Sequence, residues 1–320
     1  MSYLNWSLQY PLIFHLIVLT TSLIIVMKAA DLLITGAVGF SQKFGLSDYV
    51  TGFLIIGIGT SLPELVAALM GNGLGDSGIV FGTVLGSAVV TVTLVLGIEA
   101  YVAKTLPIQT KMLGMNRYLV PLLMAFPIIL VTDGSLSRAD GFVLISIFFV
   151  YLYSIWQTEG SIGHLRNVKL KIVWKDMFIY LGAFVALLLG ARFLVFSAIF
   201  LSKMFGIPSF LIALFVIGIG ASIGDLAVDL KSIRTGHKQL AVGDVLSGLV
   251  VEMVFILGII ALVKPIVINP LPLVTSAIFG IVPLAGILYV AKKQITRKHG
   301  IVLIGLFGLF ALVQLLPLVF

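Results

Sequence analysis

The chain contains no cysteine, and only 10% of its 320 residues are charged. The absence of cysteine excludes disulfides and thiolate metal sites. A soluble domain carries about 25% charged residues. The low charge, with 60% hydrophobic residues and a mean hydropathy of +1.20, therefore predicts a polytopic membrane protein. The sequence also has no HExxH motif and no P-loop, and we expect neither enzymatic activity nor a cofactor.

Ten apolar stretches are long enough to cross about 30 Å of hydrocarbon as helices. They span residues 12–37, 47–70, 79–102, 117–132, 140–158, 176–202, 207–230, 240–263, 271–291 and 300–318. We therefore predict an all-α fold of ten transmembrane helices in contact with the lipid bilayer.

The lysines and arginines predict the orientation of these helices. With the N-terminus outside, 15 of them fall in inside loops and 3 in outside loops. The positive-inside rule then places both termini outside, in a multi-pass protein of the cell membrane. The formal net charge of +7 follows from this topology, so we do not expect nucleic-acid binding. The sequence indicates no obligate protein partner.

The chain contains an internal repeat. The stretch 44–65, FGLSDYVTGFLIIGIGTSLPEL, aligns without a gap with 205–226, FGIPSFLIALFVIGIGASIGDL, 161 positions later. This offset places Glu64 on Asp225.

The repeat predicts two halves of five helices each. The predicted boundaries are 1–158 for the first half, 159–175 for a basic cytoplasmic linker, and 176–320 for the second half. Because five is odd, the second half enters the membrane inverted. Inverted repeats are typical of secondary transporters, whose substrate site lies between the repeats near the midplane.

Each repeat carries glycines where a helix break is expected. In the first repeat, Pro63 has no N–H, so the carbonyl of Gly59 loses its helical donor. Freed carbonyls at membrane depth are tolerated where they line a cavity or are buried in protein. In the second repeat Gly224 replaces the proline, which weakens the prediction of unwinding there. A plain packing kink is the alternative interpretation.

Several acids occur at predicted membrane depth. Glu64 and Asp225 follow the two expected breaks, and Asp244 and Glu252 lie one helix later in the second half. No lysine or arginine occurs between residues 43 and 104. Because a charge in hydrocarbon is costly, these acids must be protonated or must hold a cation.

Hydroxyl groups accompany the acids. Thr83, Ser87 and Thr91 share one helix face at i, i+4 spacing. Carboxylates, hydroxyls and freed carbonyls together form an all-oxygen ligand set, which suits a hard cation such as Ca²⁺.

Four motifs carry a family resemblance. They are GTSLPEL (59–65), GTVLGSAVVT (82–91), GASIGDL (220–226) and GDVLSGLVVE (243–252). Together they resemble the paired α-repeats of the cation/Ca²⁺ exchanger superfamily, and most closely those of the prokaryotic sodium/calcium exchangers. The resemblance covers nearly the whole chain and implies a Ca²⁺/Na⁺ antiporter that works by alternating access.

The resemblance also implies the ligands. It assigns Ca²⁺ binding to the two acids after the breaks, with a polar pair in the third helix and an acid in the eighth helix beside them. Asp244, where the family commonly has asparagine, is an added acidic candidate. The full predicted metal set is Glu64, Asp225, Glu252, Thr60, Ser87, Thr91, Gly59, Gly220 and Asp244.

Departures from the family pattern leave the coupling ion open between Na⁺ and H⁺. Ala221 and Gly248 replace hydroxyl residues that could bind Na⁺. The second half nevertheless keeps its acids, and a desolvated carboxylate can bind protons near neutrality. The first motif favours Na⁺, and a Ca²⁺/H⁺ or other divalent cation/H⁺ antiporter is the alternative. An organic-ion transporter and an intramembrane enzyme fit the acidic centre less well, whereas a cation channel would also fit acidic lining residues.

Two further predictions concern isolated charges. Lys28 and Asp31, one turn apart in the first helix, are expected to form a local ion pair. Glu99 falls near the inner membrane edge and is expected to be interfacial.

Overall fold

The structure is a computed structural model that describes residues 10–43, 57–108, 111–159, 170–234, 236, 238–267, 270–291 and 294–316. Residues 44–56 and the linker residues 160–169 lie outside the described part. The start of the predicted helix 47–70 and most of the predicted linker 159–175 fall on these residues.

The described chain is almost entirely helical. Its α-helices are α1 Pro11–Lys43, α2 Gly57–Thr60, α3 Leu62–Gly73, α4 Ser77–Val90, α5 Leu96–Ala103, α6 Lys111–Leu130, α7 Arg138–Glu159, α8 Leu170–Phe205, α9 Ser209–Ile212, α10 Ile219–Arg234, α11 Lys238–Val250, α12 Leu257–Val263, α13 Pro270–Val290 and α14 Arg297–Leu315. Three π-helical stretches, Thr91–Val95, Ala213–Gly218 and Val251–Ile256, join consecutive α-helices, and a 3₁₀ turn covers Val131–Asp133. The strands are β1 Thr105–Pro107, β2 Ser135–Leu136, β3 Ile266–Val267 and β4 Gln294–Thr296.

Seven helical segments of the described part are long and apolar enough to cross a membrane. They are Pro11–Leu32, Ser77–Ala103, Leu181–Phe205, Ser209–Arg234, Ala241–Val263, Leu273–Val290 and Arg297–Leu315. A membrane-spanning helical fold is thereby confirmed. A count of ten helices stays a prediction.

Burial divides these segments into central and peripheral ones. Ser77–Ala103 is 94% buried and Ala241–Val263 is 78% buried, whereas Pro11–Leu32 is 28% buried and Arg297–Leu315 is 22% buried. The two central segments occupy equivalent positions in the repeat. Because large apolar side chains such as Phe142 remain exposed, the outer helices present a surface suited to lipid.

Two small antiparallel sheets join the halves of the chain. In one, β1 pairs with β4, and Leu106 lies opposite Ile295. In the other, β2 pairs with β3, and Leu136 lies opposite Ile266. The repeat places β1 on β3 and β2 on β4, so each sheet is the counterpart of the other with the halves exchanged. We call the two ends of the molecule the β1–β4 face and the β2–β3 face.

Glycine contacts show the same exchange of halves. A Cβ added at Gly97 of α5 would lie 3.1 Å from the carbonyl oxygen of Gly300 in α14. A Cβ added at Gly141 of α7 would lie 2.8 Å from the carbonyl oxygen of Gly258 in α12. Glycine is needed at these positions because only a missing side chain allows the helix backbones to approach so closely.

The longest helices, α1 and α8, pack against each other beside the central segments. Their contact is mainly aliphatic and includes the buried Val26, Ala29 and Leu187. A buried hydrogen bond also joins His15 Nδ1 and Ser197 Oγ across the contact, at 3.2 Å. The two helices therefore meet through a mostly apolar surface.

Candidate cation site

The first repeat contains the predicted break. Helix α2 ends at Thr60 and α3 begins at Leu62, with Ser61 between them in a non-helical position at φ −85° and ψ 3°. Pro63 lies in the first turn of α3, where its missing N–H costs little. Glu64 follows directly and is fully buried. Its carboxylate thus lies in the first turn of a helix, where the helix dipole favours negative charge.

In the second repeat, a π-helical stretch widens the helix and does not break it. The π-helical stretch Ala213–Gly218 leads directly into α10, which continues through Gly224 to Arg234. Gly224 retains the N–H that proline lacks, so the helical ladder continues there. Asp225 therefore projects from the body of a helix, unlike Glu64.

Equivalent π-helical stretches interrupt the two central segments. One begins at Thr91, and the other contains Glu252 as its second residue. The repeat offset places Thr91 on Glu252. Single π turns inside α-helices occur frequently at functional sites, and here both coincide with a predicted ligand.

Ser87 connects acids from the two halves. Its hydroxyl lies 2.9 Å from Oε1 of Glu252 and 3.4 Å from Oε1 of Glu64. All three side chains are 3% exposed or less. The hydroxyl carries a single proton, so it can donate to only one carboxylate at a time. The other oxygen of each carboxylate has no hydrogen-bond partner in the described part of the chain.

Two more acids lie near this group. Asp225 is half-buried, and its carboxylate is close enough to Glu64, Glu252 and Asp244 to be repelled by their negative charges. Asp244 is half-buried on α11, and its Oδ1 has no hydrogen-bond partner among the described residues. No lysine or arginine of the described chain neutralises these acids.

The remaining predicted ligands are placed as follows. Thr60 and Gly59 are buried at the end of α2, directly before the break. Thr91 is 7% exposed and lies one turn beyond Ser87. Gly220 packs against α1, because a Cβ added there would lie 2.8 Å from the side chain of Leu23.

The acids do not close into a compact cluster of carboxylates. Among the described residues, no three histidine or acidic side chains are close enough to hold a metal ion. Hydrogen bonds bring Glu64, Ser87 and Glu252 together, and Asp225 and Asp244 take no part in these hydrogen bonds. In this conformation, the hydroxyl and backbone oxygens would have to supply the rest of an oxygen shell for a hard cation.

Two predictions about isolated charges have different outcomes. The ion pair of Lys28 and Asp31 is confirmed, with a distance of 3.8 Å between Nζ and Oδ2. The prediction that Glu99 is interfacial is wrong, because its side chain is fully buried. Helix α10 packs on the helix that carries Glu99 and places Asp229 against it. The sequence pattern located its depth along the helix but not the neighbour that covers it.

One sequence pattern resembles a hydrolase motif. Residues 220–224, GASIG, fit the letters GxSxG. A nucleophile elbow needs an exposed serine on a turn from strand to helix. Ser222 lies instead inside α10, is 2% exposed, and donates to the carbonyl of Gly218 at 2.9 Å. The serine is therefore a buried helix residue rather than an exposed nucleophile.

The family model for "Sodium/calcium exchanger protein" matches this chain twice, at residues 14–157 and 175–316. Inner membrane protein YrbG of Escherichia coli strain K12 is 29% identical over 79% of this chain and 81% of its own length. Sodium/calcium exchanger MaX1 of Methanosarcina acetivorans is 23% identical over 93% of this chain and 98% of its own length.

Two solved structures share the fold. The sodium-calcium exchanger NCX_Mj has a TM-score of 0.66 at 22% identity, with 93% of this chain and 97% of that chain covered. The H⁺/Ca²⁺ exchanger CAX has a TM-score of 0.78 at 15% identity, with 99% of this chain and 85% of that chain covered. The family match over both halves shows that the chain belongs to the sodium/calcium exchanger family.

Proposed function

We propose that this protein is a secondary antiporter that exchanges Ca²⁺ for Na⁺ across the cell membrane. The observation that carries the proposal is the buried group of Glu64, Ser87 and Glu252, which joins acids of both halves through one hydroxyl. Membership of the sodium/calcium exchanger family and the similarity to MaX1 support the same function. We propose no enzymatic activity and no resident cofactor, since Ca²⁺ and its counter-ion are the substrates.

The ligand set we propose is the one predicted from the sequence. The carboxylates of Glu64, Asp225 and Glu252 supply most of the charge, and Ser87 supplies a neutral oxygen. Thr60, Thr91, the backbone of Gly59 and Gly220, and Asp244 complete the set. The burial of these groups and the absence of a basic neighbour in the described chain support a cation as their partner.

Charge balance gives the exchange its coupling. With no cation bound, several carboxylates at membrane depth remain unneutralised, and moving that charge across the barrier is costly. One divalent cation or several monovalent cations can neutralise it equally well. The two substrates therefore compete for one site, and the site crosses only when it is occupied.

The moving element we propose is the pair α1 and α8. Their mutual contact is mostly apolar, and α1 touches the site region through Leu23 against Gly220. Such a surface allows sliding with few polar contacts to break. The central segments, which the two sheets and the close glycine contacts tie to α14 and α7, would remain fixed while α1 and α8 open one side and then the other.

We further propose ten helices in two inverted halves, 1–158 and 176–320, with a cytoplasmic linker at 159–175 and both termini outside. The exchange of halves between the two sheets and the two matches of the family model support this arrangement. The bias of lysine and arginine toward one side supports the orientation.

A Ca²⁺/H⁺ exchanger is the second candidate. The second half has lost hydroxyls at Ala221 and Gly248, yet it retains Asp244 and Glu252. A buried carboxylate can carry a proton, whereas a backbone carbonyl cannot. This candidate differs from the first only in the ion that returns.

The experiment is uptake of ⁴⁵Ca²⁺ into proteoliposomes under an imposed Na⁺ gradient and, separately, an imposed pH gradient. We expect uptake driven by Na⁺. Full uptake driven by a pH gradient in Na⁺-free buffer would replace Na⁺ with H⁺, and uptake at full rate without any counter-ion would rule out exchange.

The matched variants are Glu64→Ala and Asp31→Asn. Glu64→Ala should abolish uptake without unfolding the protein, because it deletes a ligand and also relieves a buried charge. Asp31→Asn removes an acid from an exposed ion pair and should leave uptake unchanged. Normal uptake by Glu64→Ala would contradict the proposed site.

A further inference from the structure

A second pair of acids lies apart from the buried group of Glu64, Ser87 and Glu252. Glu99 of α5 is fully buried, and Asp229 of α10 is 2% exposed. Their carboxyl groups are within hydrogen-bond reach of each other. Neither oxygen of Glu99, nor Oδ2 of Asp229, has a hydrogen-bond donor in the described part of the chain. Two ionised carboxylates contain no donor, so the pair can form a hydrogen bond only when one of the groups carries a proton.

The pair is separated from the central site along both helices. Glu99 follows Ser87 by twelve residues, which corresponds to roughly 18 Å of helix. Asp229 lies one turn beyond Asp225, on the side of the β1–β4 face. Neither acid of the pair is hydrogen-bonded to a side chain of the central site in the described structure. The pair is therefore distinct from the group of Glu64, Ser87 and Glu252 and lies between that group and this face, with Asp225 and Asp244 as its charged neighbours.

Among the described residues, no positively charged group acts on the pair. Its charged neighbours are two further acids, Asp225 and Asp244. The basic and other titratable groups on α5, α10 and the elements packed around them include His15, Lys28 and Asp31 of α1, Glu64 of α3, Tyr101 of α5, Lys231 and Arg234 of α10, Lys238 of α11, Glu252 of the adjoining π-helical stretch, and Arg297, Lys298 and His299 of α14.

Two basic groups at the end of α5 have other partners. Lys238 Nζ donates to the carbonyl oxygens of Ala103 and Thr105, at 2.8 and 3.1 Å. The guanidinium carbon of Arg297 lies 3.9 Å from the centroid of the Tyr101 ring. These contacts hold both cations at the surface end of α5.

We propose that Glu99 and Asp229 form a second cation-binding site, whose ligand is a single proton shared between the two carboxyl groups. Two touching carboxylates repel each other, and burial without a partner makes two full charges costly. One proton removes half of this charge and supplies the missing donor. The second observation that points to a ligand is the complete burial of Glu99 with both oxygens unpartnered.

A proton fits this site better than a metal ion does. Ca²⁺ takes six to eight oxygen ligands, and no hydroxyl of the described chain donates to either oxygen of Glu99, whereas the Ser87 hydroxyl accompanies the acids of the central site. Two carboxyl groups suffice for a proton. The protein thus has a proton-binding position between its centre and the β1–β4 face, whichever ion the central site exchanges.

The test is infrared spectroscopy of the purified full-length protein, with the variants Glu99→Gln, Asp229→Asn and the control Asp31→Asn. At neutral pH the wild type should show a carbonyl band of a protonated carboxyl group that shifts in D₂O. Glu99→Gln and Asp229→Asn should each lose the same component of this band, whereas Asp31→Asn should keep it. An unchanged band in both pair variants would overturn the proposal.

Two further readouts separate this site from the central one. Adding Ca²⁺ or Na⁺ to the Glu64→Ala variant should leave the component in place, and its loss on adding either ion would overturn the proposal in favour of a metal site. The unfolding equilibrium constant of the wild type should also rise more steeply with pH than that of Glu99→Gln. The expected difference is about a factor of ten per pH unit, because the folded wild type holds one more proton than its unfolded chain does. None of these readouts requires Ca²⁺ exchange, so a failure of the proposed function would be seen separately.

Discussion

The substitution Glu252→Gln tests the electrostatics of the central site. Oε1 of Glu252 and Oε1 of Glu64 both lie within 3.4 Å of the Ser87 hydroxyl, so they are no more than about 6 Å apart. Two unit charges at this separation repel by about 3 kcal/mol at an effective dielectric constant of about 20. The glutamine removes this repulsion and keeps nearly the same shape and a hydrogen-bonding oxygen.

We expect opposite effects on the empty and the loaded protein. Without divalent cations, the Glu252→Gln variant should melt at a higher temperature than the wild type, because a buried repulsion is gone. Ca²⁺ affinity should fall by at least about tenfold, since a divalent ion loses a charged ligand and recovers only part of this energy from its hydration. The increase in melting temperature caused by Ca²⁺ should therefore shrink.

Thermal melting with and without Ca²⁺, followed by ⁴⁵Ca²⁺ uptake under each gradient, measures these effects. If Glu252 is a cation ligand, binding should weaken at every pH. If it is the proton carrier, uptake should become independent of the pH gradient and keep any Na⁺ dependence. Asp31→Asn serves again as the control for loss of an acid. A variant that melts lower without cations and binds Ca²⁺ like the wild type would refute the reasoning.

Two more predictions concern the contacts between the halves. Gly97→Ala and Gly141→Ala would each place a Cβ within about 3 Å of the facing helix. We therefore expect each substitution to lower the free energy of unfolding by about 1–3 kcal/mol. The control Gly305→Ala places its Cβ in open space and should be neutral in the same melting assay. Paired cysteines at Ser135 and Val267, which lie opposite each other in the β2–β3 sheet, should form a disulfide on mild oxidation of this cysteine-free chain, seen as a mobility shift in a gel that the single-cysteine variants lack. Failure of the pair to cross-link would contradict the register of the sheet.

The sequence was most informative where repetition and membrane physics act together. The apolar lengths predicted the membrane helices, and the gap-free match of two motifs placed Glu64 and Asp225 in equivalent positions. The proline predicted the break at Ser61 because its effect on the helix is local.

The features that the sequence did not reveal depend on packing between distant segments. The hydrogen bonds that join Glu64 and Glu252 through Ser87 cross the two halves, and the two interhalf sheets are too short to show a strand pattern. The burial of Glu99 depends on which helix covers it, and helical periodicity in a uniformly apolar segment carries no such signal. Asp229, which contacts Glu99, lies one turn beyond Asp225, but nothing in the sequence indicates the contact between Glu99 and Asp229.

The exchange of strands between the halves has a consequence for how the protein is made. Strand β1 ends at Pro107, and its partner β4 begins at Gln294. The ribosome must therefore add roughly 190 residues after β1 before its backbone hydrogen bonds can be satisfied. At about 5–20 residues per second, this delay lasts on the order of 10 to 40 s. Throughout that interval the first half must remain in the insertion machinery or at the membrane surface with the edge of β1 unpaired. Premature release or proteolysis would therefore affect the first half before its sheet is complete.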